Sequence, residues 1–318
     1  MTEPAPKGKR VLVVGLPRSG TTWFARALAA SPGARYVHEP DNIESGPYAL
    51  VGMRGLWHDP NLAPGERVPA YERMWDVAFG GGWPSGALAR QAVRASLSPR
   101  VPAPARAAIQ RSFTSLAARM PRGDEAVVVK SVYCYFAMEW LAERYRPDIA
   151  IVWRNPANML PGYLERGWIT DELRTRPPLP ARFGDTAVWP PPAEFGLENV
   201  LWSICARMTV LLETATRHPD WHVYRHEEIS ADPRDRYREV FTDLGLEWST
   251  GVERFLERSN KPGEGWDVQR VAEQEATVWK RRLDADQIRL TRDVMRRFAA
   301  VGGETSPLWR CVEELEAG

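Results

Sequence analysis

Gly15 and Gly20 bracket a short loop, GLPRSG, that runs directly into Thr21, Thr22 and Trp23. Two glycines separated by four residues, behind an apolar run and ahead of a helical pattern, frame a phosphate-binding turn. Its successive backbone N–H groups point into one concavity at the positive end of a helix. In the nucleotide-hydrolysing form G-x-x-x-x-G-K-[ST], which would span Gly15 to Thr22, the lysine position holds Thr21. The positive charge has moved inside the loop, to Arg18. A second cation, Arg154, closes the apolar run IAIVW, at the end of a strand where open α/β sheets bind ligands. Glu39 and His38 end a shorter run, YVHE, and either side chain can accept a proton. Lys130 ends a third, EAVVVK. His222 and His226 stand four apart, but beside a strand they share no helical face, so no metal pair follows.

These residues need a scaffold that delivers strand ends to one edge. Apolar runs with strand character recur at 10–15, 34–38, 125–130, 148–153 and 221–225, with helical patterns between them, among them CYFAMEWLAERY at 134–145. The alternation predicts an α/β fold with a central, mainly parallel sheet covered by helices. We expect a tail over 1–9 and a single domain over 10–318. Insertions rich in Gly, Pro and Trp at about 40–104 and 170–193 are of the kind that serve as lids or substrate loops. With 42 basic and 41 acidic side chains the net charge is +1, so no global field points to nucleic acid or an anionic membrane, and any anion site must be local. Cys134, Cys205 and Cys311 are odd in number and widely spaced, which fits reduced thiols and a cytoplasmic setting. The apolar VLVVGL stops at Pro17, too short for a signal core or a membrane span.

The segment GLPRSGTTWFARAL resembles the 5′-phosphosulfate loop of sulfotransferases that use 3′-phosphoadenosine 5′-phosphosulfate (PAPS), whose usual form is P-[KR]-S-G-T-T-W/L. The resemblance implies a P-loop NTPase-like three-layer fold, and it accounts for the missing lysine: the donor has no β,γ-phosphates, and the family works without a bound metal. It assigns Arg18 to the oxygen bridging sulfur and phosphorus, Ser19, Gly20, Thr21 and Thr22 to the 5′-phosphate, and Trp23 to stacking on the adenine. In the family's second signature a strand-ending arginine and a serine eight residues later grip the 3′-phosphate. Arg154 fits the arginine, with Asn155 and Pro156 following as in the family, but the serine position is Gly162. The lost hydroxyl would have to be replaced by the Gly162 N–H or by neighbours such as Tyr163 or Arg166. Glu39 lies 21 residues after Arg18, an interval similar to that of the tyrosylprotein sulfotransferases, where the equivalent glutamate is the base. His38 is the rival. Lys130, followed by Ser131, resembles the family's strand end and would place a second cation over the transferring sulfonate. His226, before Glu227, matches a position near the adenine, and VWKRRL resembles a C-terminal pattern in which Lys280, Arg281 or Arg282 approaches the donor.

The implied activity is transfer of a sulfuryl group from PAPS to a hydroxyl of a small molecule or glycan, releasing adenosine 3′,5′-bisphosphate. Catalysis would rest on Glu39, Arg18 and Lys130. A P-loop phosphotransferase is the rival enzyme, opposed by the absent lysine and the lack of a magnesium-holding aspartate at a neighbouring strand end. A nucleotide-binding module without activity is the other. Trp57, Trp75, Trp83, Trp168 and Trp189, in or near the insertions, are candidate walls for an apolar or ring-containing acceptor.

Overall fold

The computed structural model describes residues 8–82, 87–117, 125–168, 174–194, 196–262 and 272–317. Five strands lie in the order β2-β3-β1-β4-β5: β1 Arg10–Val14, β2 Arg35–His38, β3 Val127–Ser131, β4 Asp148–Trp153 and β5 His222–Arg225. Each falls on a run anticipated from its apolar residues. The helices are α1 Thr21–Leu28, α2 Ala49–Gly52, α3 Pro69–Phe79, α4 Ala87–Leu97, α5 Ala103–Ala117, α6 Met138–Tyr145, α7 Pro156–Leu164, α8 Leu179–Phe183, α9 Leu197–Thr216, α10 His226–Ala231, α11 Pro233–Asp243, α12 Thr250–Ser259, α13 Ala272–Glu275, α14 Val278–Arg282, α15 Ala285–Val301 and α16 Leu308–Glu316. This is the α/β fold with a central parallel sheet that the alternation predicts.

The chain forms two compact units. The first comprises 1–15, 21–150 and 238–255; the second comprises 16–20, 151–237 and 256–318. Within the first, β1 and β2 both pair in parallel with β3, Val13 opposite Lys130 and His38 opposite Lys130. Val11 to Val14, Val128 and Val129 are fully buried, as strands covered on both faces require. α1 adds Phe24, Ala25, Ala27 and Leu28 to this core, on the spacing of one helical face.

Residues 40–104 depart from the irregular insertion expected of them, because α2, α3 and α4 lie there. In α3, Tyr71, Met74, Trp75 and Ala78 recur at helical spacing and are buried, with Trp75 stacked on Phe79 at 5.5 Å. Trp75 is therefore a core residue, not an acceptor wall. Trp83 and residues 170–173 lie outside the described residues. Within the second unit α9 and α15 pack together, Trp202 meeting Phe298 edge-on at 5.5 Å, and Phe183 of the short α8 closes on the same phenylalanine at 5.5 Å. Of the remaining tryptophans considered for the acceptor, Trp57 is exposed, Trp168 meets Tyr163 edge-on at 5.2 Å and Trp189 meets Trp202 at 6.1 Å. Among the described residues no helix is long and apolar enough to cross a membrane.

Candidate functional site

In the first unit the parallel register sets the chemistry. Because His38 stands opposite Lys130, the next residue, Glu39, turns its carboxylate onto the Lys130 ammonium, and the two form a buried ion pair. The Glu39 N–H donates to the Lys130 carbonyl at 2.7 Å, and its backbone adopts φ 39°, a left-handed conformation uncommon for any residue but glycine. Asn42 Nδ2 donates to the other carboxylate oxygen at 2.6 Å. Burial alone would raise the Glu39 pKa, but the Lys130 charge and these hydrogen bonds outweigh it and hold the carboxyl below the ordinary range. It is ionised at neutral pH. Burial draws the Lys130 ammonium below the usual lysine range, against the opposing pull of Glu39.

His38 stands beside this pair. Burial lowers its pKa to about 4. Its Nδ1 shares a hydrogen bond of 2.8 Å with the Tyr36 hydroxyl, and its Nε2 lies 3.8 Å from Glu39 Oε2. One residue beyond this turn, a pair that the sequence reading missed stands beside it. The Ser131 hydroxyl lies 2.7 and 2.9 Å from the two oxygens of the fully buried Asp41, while Ser131 Oγ accepts the N–H groups of Tyr133 and Cys134. Burial pushes the Asp41 carboxyl up to about 7. Its only sequence signal was an aspartate two residues after Glu39.

Residues 16–20 of the loop belong to the second unit and are held by their own backbone and by side chains of that unit. Ser19, fully buried, donates both its N–H and its hydroxyl to the Leu16 carbonyl, at 3.2 and 2.7 Å. Arg18 and Gly20 both take positive φ, 69° and 89°. Gly20 is required for a further reason: a Cβ there would sit 2.3 Å from Nδ1 of His226. That imidazole is fully buried beneath the loop, with Nε2 3.4 Å from the Ser230 hydroxyl. Burial, reinforced by the charge of Arg154, keeps it far below its ordinary pKa and therefore neutral. Thr21, buried, and Thr22, half-buried, open α1 in the first unit, and Trp23 follows them, also half-buried.

Arg154 leaves β4 into the buried interior of the second unit. Its Nη1 donates to the Arg18 carbonyl at 3.3 Å, and its Nη2 donates to the Glu275 carbonyl at 2.6 Å and to the Glu275 carboxylate at 3.0 Å. Its Nε, also buried, has no hydrogen-bond partner among the described residues. Asn155 caps α7 by accepting the Ala157 N–H at 3.0 Å, and Pro156 occupies the first turn, where a missing N–H is harmless. Glu227 then ties the elements together: one oxygen accepts the Asn155 N–H at 2.9 Å and Asn158 Nδ2 at 2.8 Å.

Gly162 lies inside α7, and the reason for a glycine there is the Arg18 side chain. A Cβ at 162 would fall 2.4 Å from Arg18 Nε and 3.1 Å from its Cδ and Cγ. A serine in this position would collide with the loop arginine. Arg166 Nη1 reaches the Gly162 carbonyl at 3.4 Å. Of the three basic residues near the C-terminal pattern, Arg281 donates to Gln274 at 2.8 Å, Arg282 pairs with Glu165, and the Lys280 ammonium stands 5.3 Å from the Trp279 ring. Each is engaged locally.

No protein-family model matches the chain, and no curated protein matches it either. Among solved structures it is similar to mouse sulfotransferase SULT7A1 complexed with PAP, at 12% identity and TM-score 0.49, over 98% of this chain and 90% of that one. It is also similar to the sulfotransferase domain of the Synechococcus PCC 7002 olefin synthase, at 12% identity and TM-score 0.44, over 92% and 97% of the two chains. Sulfotransferase STF1 from Mycobacterium tuberculosis follows at 14% identity and TM-score 0.40, over 85% and 77%.

Proposed function

We propose that the protein is a PAPS-dependent sulfotransferase. The observation that carries this reading is the buried guanidinium of Arg154, hydrogen-bonded to the carbonyl of the phosphate-type loop at Arg18 and with an Nε that has no hydrogen-bond partner among the described residues. A loop that holds one phosphate, with a second buried cation attached to it, suits a nucleotide carrying phosphates on two separate positions, and 3′-phosphoadenosine 5′-phosphosulfate is such a nucleotide. In this assignment Gly20, Thr21 and Thr22 hold the 5′-phosphate through N–H and hydroxyl groups; Ser19, expected to join them, instead gives its N–H and hydroxyl to the Leu16 carbonyl and shapes the loop. Trp23 and His226 border the adenine, and Arg154 reads the 3′-phosphate with the Gly162 segment beside it.

The reaction is displacement at sulfur. The acceptor oxygen forms a bond to sulfur as the bond from sulfur to the bridging oxygen breaks, that oxygen leaves on adenosine 3′,5′-bisphosphate, and the acceptor proton passes to Glu39. Pairing with Lys130 keeps Glu39 ionised at neutral pH, the state a base must have, at some loss of basicity. Lys130 and Arg18 stabilise the charge that gathers on the sulfonate and the bridging oxygen. No metal ion is assigned a part. The acceptor is a hydroxyl of a small molecule or glycan. A cavity of about 460 Å³ alongside β2, lined by Arg35, Tyr36, His38, Pro40 and Tyr48, supports a small ring-containing partner next to the Glu39 turn.

Calorimetry tests the donor assignment. Adenosine 3′,5′-bisphosphate should bind without added magnesium and clearly more tightly than AMP. Tighter binding of ATP with magnesium would point instead to a phosphotransferase. Incubation of the protein and PAPS with a metabolite pool should then yield, by mass spectrometry, a product heavier by one sulfonate.

A further inference from the structure

Arg154 already holds an anion of the chain's own. Glu275, the last residue of α13, directs a carboxylate oxygen to within 3.0 Å of Arg154 Nη2, in a pair whose side chains are 6% and 16% exposed. The same nitrogen also donates to the Glu275 carbonyl at 2.6 Å. We propose that Glu275 is a built-in competitor for the donor's 3′-phosphate: its carboxylate occupies the guanidinium that reads this group and must swing aside when the nucleotide binds. The inference rests on the donor reading given above.

The backbone around Glu275 does not depend on that carboxylate. Residues 275–282 are fastened to α7 and the end of β4 at four other points. The Glu275 carbonyl accepts from Arg154, the Ala276 carbonyl accepts from Asn158 Nδ2 at 3.0 Å, the Trp279 N–H donates to Asn158 Oδ1 at 3.2 Å, and Arg282 pairs with Glu165. Among the described residues, the Glu275 carboxylate is the group ion-paired with Arg154. A phosphate arriving there can take Nε, which has no partner among the described residues, but it can share Nη2 only once the carboxylate has left, since two anions on one buried guanidinium repel strongly. The Glu275 side chain is the more exposed partner and has a way out to water. Glu275 thereby sets the nucleotide's affinity and weights it against ligands that lack the charge to displace it.

The test is calorimetry of adenosine 3′,5′-bisphosphate and of AMP with the wild type, Glu275→Gln, Glu275→Ala and the double variant Arg154→Ala/Glu275→Gln. Glutamine keeps the shape and can still accept from Nη2, so the fold is preserved. Removing the competitor should tighten bisphosphate binding roughly tenfold in both single variants, the scale of one displaced charge pair, while AMP affinity stays within about twofold. The gain should vanish in the double variant. Unchanged or weaker bisphosphate binding in Glu275→Gln and Glu275→Ala, with the wild type still preferring bisphosphate to AMP, overturns the competitor role and leaves the donor reading standing. A gain that survives loss of Arg154 also overturns it. A wild type that binds AMP as tightly as the bisphosphate removes the donor reading, and this inference with it.

Discussion

Glu39→Gln removes one negative charge from a buried pair while keeping the side chain's size. Lys130, 2% exposed, is then left with no counter-charge on the side where Glu39 stood. At contact distance and an effective dielectric of about 20, the lost attraction is roughly 4 kcal/mol. Breaking a buried pair from one side typically costs about 3–5 kcal/mol. Urea denaturation at pH 7 should therefore show a loss of that size. The pH dependence has a definite sign. Without Glu39, burial depresses the Lys130 pKa further, so the native state releases its proton before the unfolded state does, and the variant regains stability as pH rises toward the ordinary lysine range. Adding Lys130→Met takes away the stranded charge and should restore most of the midpoint at pH 7. Turnover behaves differently: it should fall by roughly 10²- to 10⁴-fold in Glu39→Gln, the usual contribution of a general base, and should not return in the double variant. Donor affinity, measured separately, should barely change, and His38→Ala should be much milder. A wild-type midpoint in Glu39→Gln would show that the carboxylate does not compensate Lys130. Near-normal turnover there, with an inactive His38→Ala, would move the base to His38.

Gly162→Ser restores the residue of the resembled pattern, yet it should lower turnover by about tenfold or more, because the new Cβ displaces Arg18; a faster enzyme would contradict the packing argument. Asp41→Asn should flatten the stability profile between about pH 4 and 7. With its pKa raised from the ordinary 3.8 to about 7, the native wild type holds an extra proton over that range and loses stability as pH rises, by about 4 kcal/mol at ~1.4 kcal/mol per pH unit. Equal slopes in urea titrations of the two proteins would exclude this. Cys134, Cys205 and Cys311 are all buried, and burial raises each thiol's pKa, so a disulfide reagent should label none of them at pH 7 until the protein unfolds. Rapid labelling of the folded protein would refute that.

The strands were readable because buried parallel strands are nearly continuous apolar runs. The loop was readable because its glycines and hydroxyl residues follow such a run. Helix α3 was harder: the glycines and prolines around PAYERMWDVAF masked a helical face that declares itself only through Tyr71, Met74, Trp75 and Ala78. Glu39 and Lys130 were each marked by a strand end, but their pairing spans 91 residues and depends on the register of β2 against β3, which no local pattern sets. The same holds for Asp41 with Ser131 and for Glu275 with Arg154. Their partners are distant in sequence, and an isolated acidic residue looks like any solvated one. Gly162 illustrates the converse. Its departure from the expected serine was visible at once, but its reason lay in the path of the Arg18 side chain.

Among the described residues, three other than glycine adopt positive φ: Arg146, at the left-handed end of α6, Arg18 and Glu39. For Arg18, at φ 69°, the chain holds an L-residue in a conformation that glycine adopts freely. Two selections applied to one library should therefore diverge at this codon. Sorting variants only for folded protein should enrich glycine at position 18, whereas sorting for sulfuryl transfer should retain arginine or admit lysine. The gap between the two enrichment scores measures the backbone strain that the loop tolerates for a positive charge.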